Sequence, residues 1–446
     1  MNLTENYSVS RVPAAARLPF FGVALVHMGM LTALDQFMLG AVLGHSMSYG
    51  DAFMAITAGS IIFFIATFGL GYAGMREGVS GSLLARWSGF GANGSIFVGL
   101  LIAVSLLGWF GVQNSLFAKS LDQALGEKLG FHWAAAVSGI TLTLIVAFGF
   151  KALRFAARIA VPAFAISVFY ISFILLSGKD MSSLIALSEQ GKGLTVSDAI
   201  TLVVGGSIVA SLITPDLTRY YSNGKQVMIM TLITIFAGEY VINGLAVVIS
   251  VILNTADVVS IMQQVTGGIG LFVVVFSTLR INDINLYSSS LGIANAIQAF
   301  TGRSVPYVII TLLIGVVGTT LSVMGILDRF IDFLNLLGIL FPPVIGIMLV
   351  DYFVLKTDRE VLDATRALGQ LPDESQTKKT GWNAIIASLA GALAGYYFTS
   401  GVPAINSILA GIVVYVALVA LSRGLRGKPG KHGIKAAKDT GQHNLS

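Results

Sequence analysis

Apolar runs of membrane-spanning length follow one another along nearly the whole chain, near residues 19–44, 51–74, 95–121, 133–150, 157–177, 194–214, 227–254, 269–298, 304–324, 330–353, 382–399 and 404–422. A helix of about 20 apolar residues crosses the hydrocarbon core of a bilayer, and within lipid each segment must satisfy its own backbone N–H and C=O groups. Runs of this length, rather than the roughly ten residues of a barrel strand, predict an all-α integral membrane protein with twelve transmembrane helices. Composition agrees: 55% of the 446 residues are hydrophobic and 11% are charged, against about 25% charged in a soluble domain. The 50 glycines fit helices that approach closely.

Cysteine is absent, which excludes disulfides and thiolate metal sites. The first ten residues are polar and no basic n-region precedes the first apolar run, so that run reads as an uncleaved anchor rather than a signal peptide. Orientation follows from the bias of Lys and Arg between alternate loops. With both termini inside, 21 of the 27 basic residues fall on the cytoplasmic side. Five lie outside, Lys119, Lys128, Lys179, Lys192 and Arg329, and Arg280 alone sits within a span. The net charge of +5 is therefore explained by topology, and no nucleic-acid partner is expected.

The eighth apolar run carries an unusually polar stretch, Arg280 to Gly292, reading RINDINLYSSSLG. Ionisable groups inside a membrane are costly and by default mark function, each with a partner. Those here are Asp35, Glu239, Arg280 and Asp283. Arg280 stays charged and presents a forked donor set, so Asp35 on the first run is the expected partner, either in a transport site or in a structural salt bridge. Glu239 and Asn243 stand one helical turn apart and are expected to satisfy each other. His27 reads as a buried, satisfied histidine or a proton carrier. Two runs look interrupted, the first at Asp35–Gln36 and the sixth at Gly205–Gly206–Ser207. Breaks at corresponding positions five helices apart point to two inverted repeats around a midplane site; the alternative for the glycines is close helix packing. Residues 75–95 read as a re-entrant or interfacial piece, and residues 355–381 as the longest cytoplasmic loop.

No enzyme signature is present. His27, His45, His132, His432 and His443 have no metal-ligand spacing, and the glycine runs lack the context of a phosphate loop. No cofactor and no metal are expected. Trp109 and Gln113 lie four residues apart on one helical face in the third run. An aromatic face beside an amide suits a flat heterocycle, which stacks on the ring while its edge is hydrogen-bonded.

These stretches resemble the nucleobase:cation symporter family, to which purine, cytosine and hydantoin permeases belong. The likeness runs from about residue 11 to 355 and rests on LLARWSGFG (83–91), GWFGV (108–112), TPDLTRYYSNGK (214–225), INDINLYSSSLGIAN (281–295) and PPVIGIMLVDYFV (342–354). It implies a leucine-transporter-type fold, with five-plus-five inverted repeats over 19–177 and 194–354 and two further helices at 382–422. A cytoplasmic tail at 1–18, the loop at 355–381 and a tail at 423–446 complete the chain.

The same resemblance implies substrate stacking on Trp109, a polar contact from Gln113, base-edge recognition by Asn282, and a sixth helix facing substrate through Ser207, Ile208 and Ala210. The chain departs from the family pattern where Ile208 replaces an aromatic residue and Ala210 a serine, which argues against cytosine itself. Arg280 and Ile281 replace two hydroxyl residues that coordinate sodium in sodium-coupled members. Arg280, paired with Asp35, is then expected to stand in for the ion, with protons favoured over sodium and Asp35 or Asp283 titrating, or with ion coupling absent altogether. The expected activity is import of a nucleobase-like heterocycle by a monomer in the cytoplasmic membrane, with both termini inside. Carriers of a hydroxymethylpyrimidine, allantoin or an amine are the alternatives within transport, and a channel or receptor outside it.

Overall fold

The computed structural model describes residues 7, 10–31, 34–148, 152–178, 193–398 and 400–425, and among these every regular element is helical. The chain forms α1 (Phe20–Leu31), α2 (Leu34–Ser46), α3 (Tyr49–Glu77), the short α4 (Gly81–Ala85), α5 (Gly91–Ala124), α6 (Phe131–Phe148) and α7 (Ala152–Leu176). The second half brings α8 (Val196–Thr218) and α9 (Gly224–Ile235), which passes through a π-helical turn at Phe236–Ile242 into α10 (Asn243–Leu253). Then follow α11 (Val258–Thr266), α12 (Gly268–Thr301), α13 (Tyr307–Val323), α14 (Phe330–Val350), α15 (Arg359–Ala367), α16 (Trp382–Tyr397) and α17 (Pro403–Leu425).

Among the described residues eight helical runs are long and apolar enough to cross a membrane, and α1 with α2, bent by 47° between them, makes a ninth. Tyr307–Val323 and Pro162–Leu176 are shorter apolar helices, and α16 has 16 residues. The first run bends between α1 and α2 and not at Asp35–Gln36, through which α2 continues, with Asp35 in its first turn. A carboxylate there faces the positive end of the helix dipole. The Lys179, Lys192 and C-terminal tail readings lie outside the described residues.

Two helices start on the same local device. Ser48 accepts from the Asp51 N–H and donates to its carboxylate at 2.8 Å, and Thr195 does the same with Asp198 at 2.7 Å. These reciprocal caps satisfy donors that a helix start leaves open.

The expected break in the sixth run does not occur. Helix α8 continues through Gly205–Gly206–Ser207, and Gly205 is there for proximity: a Cβ on it would lie 1.9 Å from the Leu334 carbonyl oxygen of α14. Gly338 of α14 answers it, with a Cβ position 2.4 Å from the Thr201 carbonyl. A second such contact joins α2 to α10, where Gly40 and Gly44 press on the backbone of Asn243 and Val247. Small residues that bring backbones together are how helices associate where burial from water no longer drives them.

Within the expected re-entrant or interfacial piece at 75–95, residues 79–91 form a largely buried connection. Gly81 abuts the Leu212 carbonyl of α8, and the Gly381 N–H bonds the Phe90 carbonyl at 2.6 Å. At the same end, Arg11 is buried and donates to the Glu77 carboxylate at 2.8 Å and to the carbonyls of Leu362 and Gln370 at 3.2 and 2.7 Å. Glu77 also receives Arg366 at 2.8 Å and the Tyr352 hydroxyl at 2.7 Å. The expected loop 355–381 is thus a docked element carrying α15, held by a carboxylate shared between two guanidiniums.

Gly205→Val is expected to lower stability by about 1–3 kcal/mol or more through overpacking. Gly244→Ala, whose Cβ meets nothing within 4 Å, serves as the neutral control. Thermal melts of the two purified variants check the difference.

Candidate functional site

Helices α5 and α12 pack antiparallel, and their register can be read from two contacts. Gly292 abuts Ala103 and the Gly99 carbonyl, while the Ser289 hydroxyl donates to the Ala103 carbonyl at 2.8 Å. Moving up α5 therefore means moving down α12, which at 1.5 Å rise per residue brings Trp109 and Gln113 level with residues 279–283. Asn282, expected to share a site with them, lies at that height and is fully buried.

Gln113 is fully buried as well, and both polar side-chain atoms of Gln113 and of Asn282 lack any hydrogen-bond partner. Buried polar groups in folded proteins are nearly always paired, and each unpaired one costs about 1–3 kcal/mol. Four such atoms on two adjacent helices are what a site built for a polar ligand leaves open. Asn285 Nδ2, one turn beyond Asn282, is also unpaired.

The Trp109 ring is 7% exposed and meets Phe330 and Phe333 of α14 edge-on, with centroids 6.2 and 5.3 Å away. These phenyl rings were not foreseen; the FIDF spacing at the start of the tenth run was the available signal. On α8, Ile208 is buried in the same apolar core as Trp109, and the Ser207 hydroxyl donates to the Val203 carbonyl at 3.0 Å. Ala210 is placed elsewhere, in a separate apolar cluster with Phe63, Ile235 and Tyr240.

The expected ion pair between Asp35 and Arg280 does not form. Arg280 Nη1 lies 3.9 Å from Asp283 Oδ2, one turn along its own helix, and both side chains are about a third exposed. A local partner at i+3 needs no second helix to be brought into place. Asp35 instead has an unpaired Oδ1.

His27 is satisfied on both sides. Thr234 and Thr214 hydroxyls lie 3.0 and 2.9 Å from Nδ1 and Nε2. Because the Thr214 hydroxyl donates to the Ala210 carbonyl, it accepts from Nε2–H. Glu239 and Asn243 pair as expected, at 2.8 Å, but the Asn243 amide also donates to Gln36 Oε1 at 3.0 Å. No spacing in the sequence links Gln36 to Asn243, since the two are 207 residues apart.

Among the described residues no cluster of metal-ligating side chains occurs. Residues 19–420 match the family model described as permease for cytosine/purines, uracil, thiamine and allantoin. The cytosine permease of Escherichia coli (strain K12) is 31% identical over 421 residues, covering 94% of this chain and 95% of the relative. The hydantoin permease of Microbacterium maritypicum is 24% identical over 424 residues, covering 89% and 84%. Among solved structures, the inward facing conformation of Mhp1, a nucleobase-cation-symport-1 family transporter, superposes with a TM-score of 0.74 at 20% identity, covering 93% of this chain and 95% of that one. Its closed conformation with bromovinylhydantoin bound gives 0.70. This likeness shows the fold.

Asn282→Leu removes two unpaired buried polar atoms while keeping the branched four-atom shape of the side chain. The ligand-free variant is expected to melt at the same temperature as the parent or above it, as residues held for function often limit stability. Differential scanning calorimetry of the ligand-free proteins checks this.

Proposed function

The chain belongs to the permease family for cytosine, purines, uracil, thiamine and allantoin, and on that premise we propose that it imports a nucleobase or closely related nitrogen heterocycle by alternating access. It is a multi-pass membrane transporter of the nucleobase/hydantoin type and not an enzyme. The finer reading assigns twelve membrane-spanning helices, ten of them in two inverted repeats over 19–177 and 194–354. Both termini face the cytoplasm, as the Lys and Arg bias supports.

One observation carries the substrate reading: the four unpartnered amide atoms of Gln113 and Asn282, level with the Trp109 ring. A planar heterocycle with alternating ring N–H and carbonyl groups supplies complementary donors and acceptors to two amides at once. Its face stacks on Trp109, and Phe330 and Phe333 fix that ring edge-on. Ile208 of α8, buried in the same apolar core as Trp109, closes the opposite side. Selectivity of this kind is strong, because an analogue lacking one ring hydrogen-bonding group leaves a buried amide unpaired.

Proton coupling is favoured over sodium. Arg280 and Ile281 stand at the two positions that hold hydroxyl ligands in sodium-coupled members of the family, and a guanidinium repels a cation. Asp283, 3.9 Å from Arg280, neutralises that charge locally. Asp35 has an unpaired oxygen and no ion pair among the described residues.

A thermal-shift screen of the purified protein against purines, pyrimidines, hydantoins and amines tests the reading. A true substrate is expected to raise Tm progressively, by stabilisation of about 2.7 kcal/mol at a hundredfold excess over Kd. A panel in which amines alone shift Tm overturns it. Gln113→Leu is expected to weaken the active heterocycle at least tenfold, about 1.4 kcal/mol. Uptake into proteoliposomes is expected to persist without sodium, and strict sodium dependence removes the proton assignment.

A further inference from the structure

The π-helical turn at Phe236–Ile242 carries Glu239, which is completely buried and plays no part in the substrate site. A π-helical turn inserts one residue into an α-helix and is frequently found where a side chain must be re-aimed for function. Around this carboxylate the structure offers very few donors. Glu239 Oε2 accepts from the Asn243 amide, whose other hydrogen goes to Gln36 Oε1. Glu239 Oε1, Asn243 Oδ1 and Asp35 Oδ1 are all buried without partners. The group is thus rich in acceptors and poor in hydrogens.

Ser207 of α8 stands in range of the carboxyl, but its hydroxyl lies 3.0 Å from the Val203 carbonyl and Glu239 Oε1 receives no hydrogen bond. Among the described residues, the charged group in range of Glu239 is Asp35, of like sign. The other titratable groups on the elements packed around the turn do not compensate it. His27 on α1 is engaged by two threonines, Tyr240 bonds Thr57 of α3, and His45 lies at the far end of α2. On α3, Tyr49, Asp51, Tyr72, Arg76 and Glu77 sit towards the two ends of the helix.

We propose that Glu239 is the proton-binding site of this transporter, with its Oε1–H donating to Ser207 and Asn243 and Gln36 holding the carboxyl in place. One proton supplies both things the cluster lacks, a hydrogen-bond donor and a positive charge beside two carboxylates. The site lies between the elements that substrate movement requires. Through Ser207 it touches α8, which closes the proposed substrate site, and through Gln36 it touches α2, the second half of the bent pair. Loss of the proton leaves Glu239 charged within range of the like-signed Asp35, so proton occupancy and the packing of α2 against α10 are linked. The assignment of this proton to coupling rests on the transport reading above; the presence of the proton does not.

Infrared spectroscopy of the purified protein at neutral pH tests that presence with no substrate needed. The wild type is expected to show the carbonyl stretch of a protonated buried carboxyl, shifted in deuterium oxide and lost in Glu239→Gln. The isosteric glutamine keeps an oxygen for Asn243. Absence of any such band in the wild type overturns the proposal, as does a band that survives Glu239→Gln and disappears in Asp35→Asn. Coupling is then read in proteoliposomes with the heterocycle that the thermal screen selects. Glu239→Gln is expected to bind it with unchanged affinity and to exchange it across the membrane. The variant is also expected to lose at least tenfold of the accumulation driven by an imposed pH gradient. Undiminished accumulation overturns the coupling role, whereas a wild type that moves no heterocycle while keeping the infrared band removes the substrate reading alone.

Discussion

A buried polar group in a bilayer-embedded protein has no solvent to fall back on, and this one constraint organises the molecule. Its helices satisfy their own backbones, so the remaining freedom lies in how closely they pack and in which side-chain groups are left open. Where Gly205 meets Leu334, or Gly40 meets Asn243, the backbones touch and leave no room for a side chain. Against that tightly closed background, unpaired amides at Gln113 and Asn282 stand out as openings that the fold retains.

Close packing and open polar groups are complementary. The glycine contacts tie α8 to α14 and α2 to α10, and both pairs border places where partners are missing. On one side are Trp109, Gln113 and Asn282, with four amide atoms unpaired. On the other are Glu239, Asn243 and Gln36, short of a hydrogen. Helix α8 lies between them, with Ser207 reaching towards the second and Ile208 buried beside the first. A change on either side is therefore felt by the same rigid element, which is the physical content of coupling between two ligands.

Much of the fold was legible because hydrophobic length is a strong local signal: each of the described helices with membrane character falls on a predicted run. Glycine was ambiguous, since Gly205–Gly206 reads as a break or as a contact, and only the facing Leu334 carbonyl decides. The site was partly legible. Trp109 and Gln113 share a face by simple periodicity, whereas Asn282 joins them through the antiparallel register of α5 and α12, which no local pattern encodes. Arg280 misled for the same reason: it required a partner, and charge alone does not tell a neighbour at i+3 from one on another helix. Gln36 is the converse case, a neutral residue whose importance appears only when Asn243 is beside it.

The clasp around Arg11 has a consequence for how the protein is made. Its partners Leu362 and Gln370 are 351 and 359 residues further along the chain, while Glu77 is only 66 away. As the chain emerges from the ribosome, Arg11 and Glu77 can meet early, but their remaining partners do not exist until nearly all the membrane helices have been synthesised. The N-terminal segment therefore waits through most of biogenesis. Its closure is among the last long-range contacts to form, and a chain that stops short of residue 370 never completes it.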